Sequence, residues 1–164
     1  MFDKEVLKHI YLRLELMRRD RGKIRKLKLG RVHIIHGDFH EENMFFKNKR
    51  VRWVFDWEMV STAPRSIEVA RSLDFFCFYG HHETRNFNLA KIFLGGYNSV
   101  YPIDKEELAN GIRGWYFHQL YDAWSLEGYY LKNRKELAIF LEKKTKFLRY
   151  FSGHLEEFIS KVTS

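Results

Sequence analysis

The segment His36-Gly-Asp-Phe-His-Glu-Glu-Asn43 decides how the fold is interpreted. It is too polar for a core strand and contains a glycine, which is typical of a loop. The run before it, Arg31-Val-His-Ile-Ile35, predicts a short buried strand that leads into this loop. After the loop, two apolar runs flank Lys47-Asn-Lys-Arg50, a pattern that predicts a β-hairpin.

The predicted hairpin brings separate polar side chains to one place. With the turn centred between Asn48 and Lys49, Asn43 is expected opposite Val54. Asp56 then lies near the open end of the ribbon, within about one pleat of Asn43. The loop that carries Asp38 enters at the same end. Two carboxylates and one carboxamide are therefore expected to converge.

Such oxygen ligands suit a hard cation, and Mg²⁺ is the first candidate because it keeps several waters and uses one or two carboxylates plus phosphate oxygens. A second carboxylate that does not bind the metal can accept a proton from an attacking hydroxyl, as phosphoryl transfer requires. This gives Asp38 a role distinct from that of Asp56. Glu58 follows Asp56 closely and is expected near the mouth of the site. The alternative is that Asp38 and Asn43 are ordinary turn-capping residues.

The two segments together carry a family resemblance. His36–Asn43, followed after a hairpin by Val54-Phe-Asp-Trp-Glu58, resembles the catalytic loop and metal-binding segment of the aminoglycoside phosphotransferase and choline kinase-like superfamily. Ala63-Pro-Arg-Ser-Ile-Glu-Val-Ala70 resembles the family's Gly-Asp-Pro-x-x-Asp-Leu-Ala stretch, with Ala63 and Glu68 in place of its two aspartates. The resemblance implies a protein-kinase-like carboxy-terminal lobe that covers residues 1–164 as a single domain.

The resemblance also implies roles for individual residues. Asp38 would be the catalytic base, and Asn43 with Asp56 would hold Mg²⁺ bridging the phosphates of ATP. His36 and His40 would support the loop through hydrogen bonds. The partners would be ATP and a small metabolite or aminoglycoside-like compound whose hydroxyl accepts the γ-phosphate.

Composition and periodicity give the same general picture. The 164 residues carry a net charge of +8, with one cysteine, Cys77, and no apolar run of membrane-spanning length. A globular chain in the reducing cytoplasm, with no membrane segment, is expected. We predict an α+β fold, mainly helical, with a few strands in its N-terminal third. The predicted helices cover about residues 4–19, 65–79, 85–100, 104–131 and 134–160.

Some parts of a complete kinase are not found in the sequence. Only Gly22 and Gly30 precede Gly37, and neither lies in a glycine-rich hairpin, so no residue is assigned to nucleotide binding. An amino-terminal nucleotide-binding lobe is expected to be missing, so that this chain alone would bind ATP weakly and turn over little. The face left open should be partly apolar, and self-association into a homo-oligomer is expected.

Three alternatives remain open at this point. The basic segment 18–31 is either a solvated loop or a surface that binds nucleic acid or an acidic partner, in which case the chain is a catalytically silent scaffold module. His33, His36 and His40 supply the residue type of a zinc site but cross a strand-to-loop boundary. A magnesium-dependent hydrolase would use the same acidic cluster, but no water-activating pair is evident.

Overall fold

The computed structural model describes residues 2–78 and 86–164. Residues 79 and 85, where two predicted helix boundaries fall, lie outside that range. None of the described helices is long and apolar enough to cross a membrane. The elements, in chain order, are α1 (Phe2–Arg19), β1 (Val32–Ile35), β2 (Met44–Lys47), β3 (Arg50–Val54), β4 (Ser61–Pro64), α2 (Arg65–Cys77), α3 (Phe87–Val100), α4 (Lys105–Tyr121), α5 (Trp124–Leu131) and α6 (Ala138–Thr163). The mainly helical α+β prediction is confirmed.

The strands form two separate antiparallel pairs. β2 and β3 make the predicted hairpin, whose turn residues Asn48 and Lys49 both have positive φ (52° and 59°), as a tight two-residue turn requires. β1 pairs with β4, from Val32 opposite Pro64 to Ile35 opposite Ser61. The strand β4 is absent from the sequence-based prediction because its residues carry no strand pattern of their own.

The prediction that β1 is buried is wrong. Val32 is 58% exposed and Ile34 79% exposed, whereas His33 and Ile35 are partly buried. Among the described residues β1 has one neighbouring strand, and alternate side chains of a strand point to opposite faces. One face of β1 therefore packs on the protein and the other is open.

The core lies between helices α2, α4 and α6. Leu73 of α2 and Leu120 of α4 are almost fully buried, as is Leu148 of α6. Gly111 allows α4 to approach α2 closely, because a Cβ there would lie 2.3 Å from the carbonyl oxygen of Ser66. This close packing makes α2 a firm support for the segments that contact its outer face.

The single long helix predicted for residues 104–131 is divided in two. The chain becomes extended at Asp122, whose carboxylate accepts the Trp124 N–H at 3.0 Å at the start of α5. Arg13 donates to the carbonyl oxygens of Leu120 and Asp122, each at 2.7 Å, and Lys144 forms an ion pair with the Asp122 carboxylate. These tertiary bonds favour the break although the helical periodicity continues across it.

Candidate active site

The predicted loop leaves β1 through a glycine that no other residue could replace without strain. Gly37 has φ +81°, and a Cβ on it would lie 2.2 Å from the carbonyl oxygen of Met59. The buried His36 ring joins the loop to the segment after β3. Its Nδ1 accepts the Asp38 N–H at 3.3 Å, and its Nε2 lies 2.8 Å from the Phe55 carbonyl oxygen. Since Nδ1 accepts, Nε2 carries the hydrogen and donates.

Three side chains of α2 hold the loop from below. Glu68 accepts the Gly37 N–H at 2.7 Å, and Arg71 donates both to the Gly37 carbonyl oxygen and to the Asp38 carboxylate. Ser72 donates at 3.1 Å to the carbonyl oxygen of the residue that follows Asp38. The three residues have the i, i+3, i+4 spacing of one helix face, so the loop is fixed to a single rigid element.

Sequence reasoning did not identify Arg71 or Ser72 as part of the site. The available signal was the i, i+3, i+4 spacing of Glu68, Arg71 and Ser72, since Glu68 already lies in the segment that carries the family resemblance. In the structure the Glu68 side chain reaches the backbone N–H of Gly37.

The Asp38 carboxylate is surrounded by donors. Besides its ion pair with Arg71, it lies 3.3 Å from Asn43 Nδ2 and 3.4 Å from His40 Nε2. Asn43 Nδ2 also donates to the Asp38 carbonyl oxygen at 2.8 Å. Both bonds of Asn43 use its nitrogen, which leaves the amide oxygen for a cation. His40 caps the short 3-10 turn Glu41–Asn43 by accepting the Glu42 N–H at 3.3 Å.

The predicted register of the hairpin is wrong by one residue at its open end. Near the turn, Lys47 pairs with Arg50, as the prediction requires, but Met44 pairs with Val54 because β3 contains an extra residue at a β-bulge. Asn43 therefore faces Phe55 and not Val54, and its carbonyl oxygen accepts the Phe55 N–H at 3.1 Å. Asp56 is consequently the next residue after the one paired with Asn43.

Asp56 is held much less firmly than Asp38. Its backbone is left-handed (φ 61°, ψ 59°), its side chain is exposed, and it makes no capping bond to the 3-10 turn Trp57–Met59 that follows. Within the part of the chain that the structure describes, no hydrogen bond joins its carboxylate to Asp38 or Asn43. Glu58 lies exposed in the same turn. The Trp57 ring packs on His36 with a centroid distance of 4.6 Å.

The donor set fits a magnesium ion better than a transition metal. Residues 2–78 and 86–164 contain no group of three His, Cys, Asp or Glu side chains able to hold a metal. His33, a member of the zinc alternative, instead lies 2.9 Å from the Tyr101 hydroxyl through its Nε2. The Asn43 amide oxygen and the Asp56 carboxylate are hard donors, and Mg²⁺ commonly takes its remaining ligands from water and substrate phosphates.

Two features around the site concern possible partners. Large apolar side chains are exposed on β1, on the hairpin and in the turn that follows it, among them Ile34, Trp53 and Met59. In the basic segment 18–31, two of the cations, Arg19 and Lys23, form ion pairs with the buried Asp20. Homo-oligomer formation through the apolar face and binding of nucleic acid or an acidic partner by segment 18–31 stay predictions.

Comparisons with known proteins find a matching family and a similar curated protein. The model of the phosphotransferase enzyme family matches residues 4–103. A homoserine kinase from Granulibacter bethesdensis is 29% identical over 75 residues, which cover 46% of this chain and 23% of that protein. The matched region is thus a minor part of this curated relative. No solved structure matches the chain significantly.

Proposed function

Because the chain belongs to the phosphotransferase enzyme family, we propose that it carries the catalytic carboxylate and the magnesium ligands of an ATP-dependent kinase. The observation that carries the proposal is the contact of Asp38 with Asn43 at the base of a loop held by α2. Asn43 and Asp56 are the proposed ligands of the ion, which when bound would neutralise charge on the phosphate oxygens of ATP.

In the proposed reaction, an acceptor hydroxyl lies against Asp38. The hydroxyl oxygen bonds to the γ-phosphorus, the bond from that phosphorus to the bridging oxygen of ADP breaks, and the hydroxyl proton passes to the Asp38 carboxylate. Arg71 and Asn43 hold this carboxylate in place before the acceptor arrives. A prepositioned base contributes to the rate because little reorganisation remains at the moment of transfer.

The proposed acceptor is a small hydroxyl-bearing metabolite, and homoserine is the first compound to test because a matched relative carries that name. The Arg71 guanidinium beside Asp38 is ion-paired with it, so this cation does not select between charged acceptors. An aminoglycoside is the second compound to test.

We further propose that a second lobe completes the nucleotide site, supplied by additional chain or by a partner protein. The described residues contain no glycine-rich phosphate loop. Gly30, one of the two glycines that precede the catalytic loop, packs against the Glu107 side chain and not between two strands. Without such a loop the phosphates of ATP would be held mainly through the ion.

Release of ADP in the presence of ATP, Mg²⁺ and homoserine tests the proposal, measured on this chain and on any longer natural chain that contains it. Asp38→Asn should lower kcat about a hundredfold or more, because the variant cannot accept the proton. Glu41→Gln, which removes an exposed carboxylate of the same loop, is the matched control and should retain activity. Full activity of Asp38→Asn, or no ADP release from any chain, would contradict the proposal.

A further inference from the structure

A cleft lies between the N-terminal half of α1 and α6, and none of its lining residues belongs to the candidate active site. Its volume is about 400 Å³, within the usual range for sites that bind small molecules. Both helices contribute to its walls. The lining combines apolar side chains with charges of both signs, Glu5 and Glu142 beside Lys146 and Arg149.

The polar group at the base of this cleft is His9, which is only 1% exposed. Neither of its ring nitrogens has a hydrogen-bond partner among the described residues. One turn further along α1, Arg13 is 4% exposed, and its Nη1 is also without a partner in the described part of the chain. Buried polar atoms are normally paired, since each unpaired one costs about 1–3 kcal/mol. Two such side chains on one helix face therefore indicate a missing hydrogen-bonding group.

The charges around His9 indicate which kind of group is missing. Burial, and then the nearby cations Arg13, Lys144 and Arg149, lower the pKa of His9 to about 4. The imidazole is therefore neutral near pH 7 and offers one N–H donor in a region of positive potential. Lys144 is paired with Asp122. An oxygen anion placed next to His9 would be stabilised by the remaining positive field.

The walls of the cleft are amphipathic. Phe2, Val6 and Leu141 provide apolar surface, and Lys146 and Arg149 provide positive charge from α6. At the rim, Glu5, which Lys8 binds at 2.7 Å and which lies 3.9 Å from Arg149, and Glu142 partly offset these cations, so the positive potential is strongest at the base, where Arg13 lies one turn from His9. A ligand that is apolar over most of its length and anionic at one end would match both parts of the lining.

We propose that this cleft binds a small organic acid, with its carboxylate near His9, Lys146 and Arg149 and its apolar body against Phe2, Val6 and Leu141. The site is separate from the proposed kinase centre and does not depend on phosphotransferase activity. Its ligand would be a medium-chain or aromatic carboxylic acid, because a single carboxylate would meet the unpartnered His9 while an apolar body covers Phe2, Val6 and Leu141.

Calorimetric titration of the full chain with octanoate, 1-octanol and octylammonium compares ligands that share one apolar body. Octanoate should bind at least tenfold more tightly than the other two. In spectra of the ¹⁵N-histidine-labelled protein, octanoate should shift the His9 imidazole signals and raise the His9 pKa above about 4, since an adjacent anion stabilises the imidazolium. Equal affinity for octanoate and 1-octanol, or unchanged His9 signals, would overturn the proposal.

Substitutions test which residues produce the preference for octanoate. His9→Leu should abolish the preference for octanoate while 1-octanol still binds, and His154→Gln, an exposed histidine of α6, should leave the preference intact. If His9→Leu does not fold, Lys146→Met provides the same comparison at the rim and should weaken octanoate binding alone. A preference that survives in both His9→Leu and Lys146→Met would contradict the assigned site.

Discussion

The two halves of the candidate site are supported very differently. The half that contains Asp38 is fixed to α2 by Glu68, Arg71 and Ser72. The half that contains Asp56 follows the hairpin, is exposed, and makes no capping bond through its carboxylate. The groups that would orient and deprotonate an acceptor are thus organised by this chain alone. The proposed cation ligand Asp56 lacks such support and would gain it from the ion and the nucleotide phosphates.

This difference fits the different requirements of a general base and of a metal ligand in phosphoryl transfer. A base must be in place before reaction, because its contribution depends on alignment. A ligand for a nucleotide-bound ion can remain open, because the ion arrives with its own phosphate oxygens. The left-handed backbone of Asp56 carries a local conformational cost, as it does at Asn48 and Lys49 in the hairpin turn.

The strongest test of the half of the site that contains Asp38 is removal of Arg71, the cation that binds its carboxylate. Arg71→Met should lower the free energy of unfolding by about 2–3 kcal/mol, since the charged hydrogen bonds to Gly37 and Asp38 are lost. Urea unfolding gives the value, and amide exchange should accelerate at loop residues 37–39. Arg71→Lys, which keeps the charge without the two-armed geometry, should recover part of the loss. An unchanged exchange rate in Arg71→Met would show that α2 does not hold the loop.

Acid unfolding tests a carboxylate outside the candidate site, that of Asp20. Burial opposes ionisation of Asp20, but hydrogen bonds from Arg19, Lys23 and Tyr116 outweigh it and lower the pKa of the carboxyl to about 2. Because the folded pKa lies below the unfolded one, this stabilisation is present above about pH 4 and is lost as the pH falls toward 2. It amounts to about 2 kcal/mol.

The check is the pH dependence of urea unfolding. Asp20→Asn should lower stability at pH 7 and flatten the curve between about pH 4 and pH 2. An unchanged slope in Asp20→Asn would assign the acid sensitivity to another group.

Loss of the hydrogen bond between Glu68 and the loop should have a smaller effect on stability. Glu68→Ala should cost about 1–2 kcal/mol, because the Gly37 N–H loses a charged acceptor. Glu68→Asp keeps the carboxylate on a side chain that is one methylene shorter and should give an intermediate loss. Thermal unfolding measures both variants. Equal stability of Glu68→Ala and the parent protein would mean that this hydrogen bond does not stabilise the loop.

In the half of the site that contains Asp56, a substitution should raise the free energy of unfolding and not lower it. Asp56→Gly should raise stability by about 0.5–1 kcal/mol, since glycine adopts the left-handed backbone without strain. The same change should remove the proposed cation ligand. Differential scanning calorimetry measures the gain, and Asp56→Ala, which keeps the strain, is the control. A loss of stability in Asp56→Gly would indicate that the Asp56 side chain is structurally bonded after all.

The sequence was sufficient for features set by local signals. The loop at Gly37, the tight turn at Asn48 and Lys49, and the helix that begins at Arg65 all follow from residue types in a short window. Features set by distant contacts were missed. β4 exists because β1 pairs with it, and the helix break at Asp122 depends on Arg13 and Lys144.

The candidate site shows the same division. Asp38 and Asn43 lie together as the loop pattern indicates. The β-bulge that places Asp56 one residue closer to Asn43 has no clear sequence signal, because the extra residue lies within an ordinary strand pattern. The hold of Arg71 on the Asp38 carboxylate depends on how α2 packs below the loop, which the spacing of residues alone does not determine.

Mn²⁺, a paramagnetic substitute for Mg²⁺, reports directly on the proposed cation site in NMR spectra of the full chain with ATP. The amide signals of Asp38, Asn43 and Asp56 should broaden first, and Asp56→Asn should require much more Mn²⁺ for the same effect. Broadening centred elsewhere in the molecule, or an identical titration of Asp56→Asn, would contradict a shared cation between these residues.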